Sequence, residues 1–405
     1  MLNYLIFEIL SAFVGTVAFI VILASTFRVY GIRFFKEKRI IISLLVLCAA
    51  LFSGLLANRT YPPDFAMPPF MHSHAPGGLS AAIPFKNVLD FFRYRDRFER
   101  IPDIGADPNA VPEKSKEPDA DGIVRIRLTA KEVISEIAPG IFFNYWTYNG
   151  QVPGPMLRVK EGDMVEVTLT NDPTSLHDHN IDLHAVTGPG GGAVLTHVAP
   201  GETKTFRWKA LASGLYIYHC AMPNVSTHNS HGQYGLILVE PKDGLAKVDK
   251  EFYVAQGELY TTGQLGKKGL VPFDAEALLD GIPNYVIFNG KVETASRMQA
   301  KVGDKIRMYI GNGGVNLISS FHIIGEIFDT VYPNASIDGA FERNTQTALV
   351  LPGGASIVEF TLDVPGKYLL VDHALARMNK GAWAVLEVSG DENPDIFSSI
   401  EDHEQ

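Results

Sequence analysis

The side chains best suited to chemistry in this chain are one cysteine and a set of histidines at β-strand spacing. His219-Cys220 follows Tyr216-Ile217-Tyr218 at the end of an apolar, strand-like segment. Adjacent strand residues point to opposite faces. One of the pair can therefore serve a metal inside a sandwich while the other serves a second metal outside it. His179-Asn180-Ile181-Asp182-Leu183-His184 repeats this logic if it is extended. His179 and His184 differ by an odd offset and face opposite ways, and Asp182 shares the face of His184. A cysteine thiolate with two imidazoles, His179 and His228, suits a trigonal blue-copper site with a weak axial ligand. Three further histidines around an open position suit a catalytic metal.

Short strands must position these groups. From Gly122 onward, runs such as Ile123-Val124-Arg125-Ile126-Arg127-Leu128 and Met164-Val165-Glu166-Val167-Thr168-Leu169 alternate between Gly, Pro and Asn turns. Close spacing of short strands predicts sandwiches rather than βαβ units. Several signals recur in the same order: Gly162-Asp163 and Gly303-Asp304, Asn149-Gly150 and Asn289-Gly290, Gly214-Leu215-Tyr216 and Gly366-Lys367-Tyr368. Two copies of one β-domain, 121–243 and 244–390, account for them. The Pro-rich, charged stretch 58–120 reads as a linker. Within it, Phe91 to Phe98 is either a short interfacial helix with snorkelling arginines or a solvated helix packed on its own domain. Residues 391–405 form an acidic tail. Gly188-Pro189-Gly190-Gly191-Gly192 is a turn and not a phosphate loop, because no Lys-Ser/Thr follows it.

The chain has 405 residues and a net charge of −10, which leaves no basic excess for a general nucleic-acid binder. Cys48 and Cys220 are too few for a disulfide framework. Near the N-terminus, 4–27 carries one charge, Glu8, and 40–57 carries none. As helices they would reach about 36 and about 27 Å, enough to cross a hydrocarbon core. The loop between them holds Arg28, Arg33, Lys36, Lys38 and Arg39 against the single acid Glu37. Positive residues favour the cytoplasmic side. The expectation is a hairpin of two transmembrane helices in the inner membrane, with the β-domains on the periplasmic side. A cleaved signal peptide is the rival reading.

Over about residues 121–390 the sequence resembles the two-domain copper-containing nitrite reductases, enzymes that form nitric oxide. The resemblance implies an all-β chain of two tandem cupredoxin-like Greek-key sandwiches, with one type 1 and one type 2 copper per subunit. The type 1 (electron-transfer) ligands fall on His179, Cys220 and His228, and the type 2 (catalytic) ligands on His184, His219 and His373. The catalytic pair falls on Asp182 and His322. Ile324 matches an isoleucine crowding the nitrite pocket, and Thr347 a threonine near the catalytic histidine. His373 reaches the type 2 copper of a neighbouring subunit in that family, so a homotrimer is expected.

The axial position departs from the pattern. Gln233 stands five residues after His228, where the family has methionine. Met222 and His231 are the other candidates. The Cys220-to-His228 loop also reads as shorter than in common members. A glutamine oxygen favours Cu(II), which predicts a lowered reduction potential and, with the membrane hairpin, a quinol donor. His72, His74, His177, His197, His231 and His403 read as surface or supporting residues. Two rival functions remain for comparison. A multicopper oxidase needs several His-x-His pairs and a His-Cys-His triplet, whereas Ala221 follows Cys220. A membrane-bound cupredoxin electron carrier leaves Asp182, His184, His219, His322 and His373 without a purpose. No Cys-x-x-Cys-His occurs, so no attached c-type haem is expected.

Overall fold

The computed structural model describes Leu45 and residues 95–113, 115–292 and 298–399. The chain divides into two units, Met1–Ala66 with Gly78–Pro84, and Met67–Gly77 with Phe85–Gln405. Among the described residues every strand belongs to the second unit. Among the same residues no helix is long and apolar enough to cross a membrane. The stretches expected at 4–27 and 40–57 lie outside the described residues, apart from Leu45.

The strands in chain order are β1 (Glu99–Arg100), β2 (Ile123–Ala138), β3 (Ile141–Tyr148), β4 (Leu157–Lys160), β5 (Met164–Asn171), β6 (Asp182–Leu183), β7 (Thr203–Lys209), β8 (Gly214–His219) and β9 (Tyr234–Glu240). There follow β10 (Lys250–Leu259), β11 (Gly269–Leu270), β12 (Tyr285–Phe288), β13 (Met298–Lys301), β14 (Lys305–Asn312), β15 (Ser319–Ile324) and β16 (Phe328–Tyr332). The last are β17 (Glu342–Thr345), β18 (Thr347–Val350), β19 (Ala355–Thr361), β20 (Gly366–Asp372) and β21 (Trp383–Ser389). One sandwich faces the sheet β11-β3-β2-β5-β7, with β1 on β2, against β4-β9-β8-β6. The other faces β12-β10-β14-β19-β16-β17 against β13-β21-β20-β15-β18.

The halves repeat each other's pairing. β2–β5 and β10–β14 are parallel, as are β4–β9 and β13–β21, while β6–β8 and β15–β20 are antiparallel. The recurring turn residues do the same job in each copy. Asp163 Oδ2 accepts from the Lys160 N–H at 2.8 Å, and Asp304 Oδ2 from the Lys301 N–H at 2.9 Å. Gly162 and Gly303 beside them hold φ of +98° and +88°, a region that penalises a Cβ.

Alternation builds the cores. In β5, Val165, Val167 and Leu169 are fully buried while most of their neighbours face outward, and they pack with Val159, Tyr218, Cys220 and Val239. The second sandwich has its own core around Phe288, Phe321, Phe328 and Phe360. A third core, with Tyr145, Val152, Ile217, Tyr253 and Tyr309, joins the two sandwiches. A chain of buried ion pairs links the same two halves. Arg158 contacts Glu240 and Glu251, both at 2.7 Å, and Arg307 contacts Glu251 at 3.1 Å and Glu359.

The C-terminal part of the stretch assigned to a linker is a strap on this body. Arg95–Arg97 form a 3-10 turn and Phe98 is buried; the rest of the segment considered as a helix, 91–94, lies outside the described residues. β1 pairs with β2, and the Val152 N–H donates to Ile104 O, the Ala106 N–H to Val152 O and the Tyr253 N–H to Pro108 O. Proline and charge hide these backbone pairings from a composition-based reading.

Candidate metal centres

β8 places Tyr218 in the core, Cys220 follows it inward, and His219 between them turns toward the sandwich edge. β6, only two residues long, pairs Asp182 with His219. His179 is fully buried, Asp182 is half-buried and His184 is exposed, the facing that their offsets predict. The helix α1 (Val225–Ser230) carries His228 back over Cys220.

The donors of His179, Cys220 and His228 all lie within 4.8 Å of one another. His228 Nδ1 is 3.3 Å from Cys220 Sγ and 3.3 Å from Gln233 Oε1. Gln233 is completely buried, so an oxygen donor is aimed at this cluster. His231 points elsewhere: its Nδ1–H donates to Thr227 O at 2.7 Å, and its ring stacks on Trp146. Met222 is buried in the first sandwich's core. Burial holds the His179 and His228 imidazoles below their ordinary range, and for His228 markedly so. Neutral imidazoles are the ligand form. Burial also pushes the Cys220 thiol up to about 12. A cation must displace that proton on binding. The donor set of one sulfur, two imidazole nitrogens and one amide oxygen fits copper.

Asp182, His184 and His219 form the second cluster, again with donors within 4.8 Å. His184 Nε2 and His219 Nε2 face each other at 3.1 Å. His219 Nδ1–H donates to Cys220 O at 2.9 Å, which fixes the tautomer and leaves Nε2 for a metal. Desolvation at the sandwich edge lowers both histidines and raises the Asp182 carboxyl.

His322, His373, Ile324 and Thr347 lie on the second sandwich. His322 pairs across the sheet with Thr347 and Val371, and its Nδ1–H donates to Gln346 O. The His322 and His373 rings are 5.4 Å apart. Asp372, fully buried, accepts from the Ala374 and Ser320 N–H groups and from Arg377, which holds the strand end bearing His373. Ile324 is 45% exposed and follows His322 on the same face. Among the described residues His373 joins neither donor cluster of its own chain.

The structure adds residues that no spacing flagged. Asn180 Oδ1 accepts from the Ala221 N–H at 2.7 Å and from Cys220 Sγ at 3.5 Å. Trp146 is stacked on His231, packs at a tilt on His177 and stands edge-on to His228. Glu132, completely buried, faces His177 and His179. Gly191 lies against the Asp182 carboxylate.

A buried Cys–His–His cluster inside one of two tandem sandwiches, with imidazoles at its edge, defines a cupredoxin-like copper protein. The family model described as multicopper oxidase matches residues 135–244. A copper-containing nitrite reductase of Neisseria meningitidis serogroup A is 50% identical over 306 residues, covering 74% of this chain and 78% of the relative. That of Rhizobium meliloti is 34% identical, over 69% of this chain and 79% of the relative. The solved copper nitrite reductase of Nitrosomonas europaea superposes with a TM-score of 0.60 at 33% identity, over 67% of this chain and 96% of that one. The chain belongs to the copper-containing nitrite reductases.

Proposed function

We propose that this chain is a membrane-anchored nitrite reductase that joins nitrite, one electron and two protons to give nitric oxide and water. The observation that carries the reading is the placement of covalent neighbours, Cys220 and His219, in two different donor clusters. His179, Cys220 and His228 would hold a type 1 copper, with Gln233 Oε1 available as a further oxygen donor. His184 and His219, with the partner subunit's His373, hold a type 2 copper, giving one of each per subunit. Copper supplies a one-electron relay at the first cluster and a Lewis acid for nitrite at the second.

Asp182 and His322 deliver the two protons. His322 is suited to this because Gln346 O engages Nδ1 and leaves Nε2 for the substrate. Ile324 narrows the nitrite pocket, and Thr347 flanks His322. A homotrimer brings the second-sandwich residues of one copy to the first-sandwich residues of the next. Support comes from the exposed Ile318, Leu349, Leu351 and Leu375, which sit near His322 and His373 in sequence or sheet register. The apolar stretches 4–27 and 40–57, with their basic connecting loop, support anchoring in the inner membrane with the sandwiches on the periplasmic side. The axial oxygen supports a strongly reducing donor, quinol.

Replacing His373 by Ala separates this reading from a simple electron carrier. The expected variant keeps its blue absorbance and loses nitrite turnover. Retained turnover, or a parent protein that holds a single copper per subunit when copper-replete, overturns it.

A further inference from the structure

A buried carboxylate stands behind the first cluster. Glu132 lies on β2 opposite Trp146 on β3, and no part of it reaches solvent. Its Oε1 accepts from the Leu176 and His177 N–H groups, both at 2.8 Å, and contacts His177 Nδ1 at 3.0 Å. The same oxygen lies 3.6 Å from His179 Nε2. That distance is long for a hydrogen bond and short for a charge–dipole contact. Neither ring nitrogen of His179 has a hydrogen-bond partner; with Nε2 turned toward Glu132, Nδ1 is the one left for a metal. A carboxylate behind a ligating imidazole fixes its tautomer and raises its basicity.

The arrangement is rigid. Two backbone amides pin Glu132 to the segment that leads into His179. Trp146, with its ring centroid 4.3 Å from that of His177, covers that imidazole. A fixed negative charge near a metal in a low-dielectric interior stabilises the more highly charged ion. We propose that Glu132 is a positioning residue for the electron-transfer copper, orienting His179 and biasing the centre toward Cu(II). It acts in the same direction as the oxygen donor of Gln233. The inference rests on the reading of His179, Cys220 and His228 as a copper site.

The test is Glu132→Gln in the copper-loaded full-length protein, read by redox titration of the blue band and by electron paramagnetic resonance. Glutamine keeps an oxygen for the Leu176 and His177 amides and removes the charge. A residue that only anchored the loop would leave the potential unmoved. The expected result is an intact blue centre whose Cu(II)/Cu(I) equilibrium shifts toward Cu(I) by about tenfold or more, which for one electron is about 59 mV upward. An unchanged potential overturns the proposal. If Glu132→Gln forms no blue centre, Glu132→Asp decides. Recovery of the centre with the parent potential supports a charge-dependent positioning role, and failure to recover it overturns that role. The underlying copper reading fails separately, if Cys220→Ala leaves the parent's absorbance in place.

Discussion

Under the role proposed for Asp182, replacing Gly191 by Ala should disable proton delivery while leaving the proposed copper ligands unchanged. A Cβ on Gly191 would overlap Asp182 Oδ1 outright and stand 2.9 Å from its Cγ and 3.0 Å from Leu183 O. The Leu183 carbonyl accepts from the Val186 N–H at 2.9 Å and closes the turn that follows His184, so it is held in place. The carboxylate is the part that can move, so the methyl group expels it from its place beside the turn. Gly191 also holds φ of +54°, where an L side chain costs about 1–2 kcal/mol. For a body of this size that corresponds to a fall in Tm of roughly 2–3 °C.

The catalytic cost is larger. A positioned proton donor typically contributes about 10²–10⁴-fold to rate, so kcat for nitrite should drop by about that range, approaching the loss in Asp182→Asn. The assay is nitrite consumption with an artificial reductant, with the blue absorbance recorded to show that the Cys220 centre is intact. Gly188→Ala is the control: Gly188 has φ of 165°, ordinary extended backbone, and open space where its Cβ would stand. It should retain parent activity. A Gly191→Ala enzyme with parent kcat, alongside an impaired Asp182→Asn, would refute the claim that the turn holds the carboxylate in place.

Other consequences can be measured directly. Glu251→Gln removes a partly buried charge shared by Arg158 and Arg307, each of which keeps a second carboxylate, so the loss in denaturant unfolding should be about 1.5–3 kcal/mol. Burial, reinforced by Asp363 and Asp329, pushes the Glu326 carboxyl up to about 7. The folded chain then holds a proton that the unfolded chain has released, so this group's contribution to stability is lost as pH rises from about 4.5 to about 7. Glu326→Gln should flatten that part of the stability profile; an unchanged slope counts against the assignment. Stripping copper with a chelator should lower Tm and abolish the blue band, and adding copper back near neutral pH should release the Cys220 proton, measurable by calorimetry in buffers of different ionisation enthalpy. Gln233→Met should raise the potential of the blue centre, and a fall would remove the case for an oxygen-donor effect.

What could be read from the chain alone was what depends on short-range geometry. Period-two alternation is enough to send Cys220 inward and His219 outward, and to separate His179 from the Asp182–His184 face. The repeat was legible because Asp163 and Asp304 each close a local turn onto a backbone amide three residues earlier. Gln233 was reached only through the resemblance, which places an axial residue five positions after His228; the short helix Val225–Ser230 and the return to β9 bring it back to that histidine.

Glu132 and Trp146 could not be reached this way. They come to His179 and His228 through the antiparallel pairing of β2 with β3, and nothing in either strand's own pattern encodes what the loop at 176–179 brings to them. The partners of the described residues in 98–119 were illegible for a related reason: Ile101, Ala106, Pro108 and Lys116 pair with backbone far away in sequence, which composition does not encode. His322 and His373 pose the sharpest case. Their alternation and sheet register place their rings side by side, yet neither residue joins a donor cluster among the described residues of its own chain. Residue spacing reports which way a side chain faces; it carries no information about which surface that face will meet. For a reaction needing one proton donor from each sandwich, as proposed for Asp182 and His322, that missing information is the geometry of assembly.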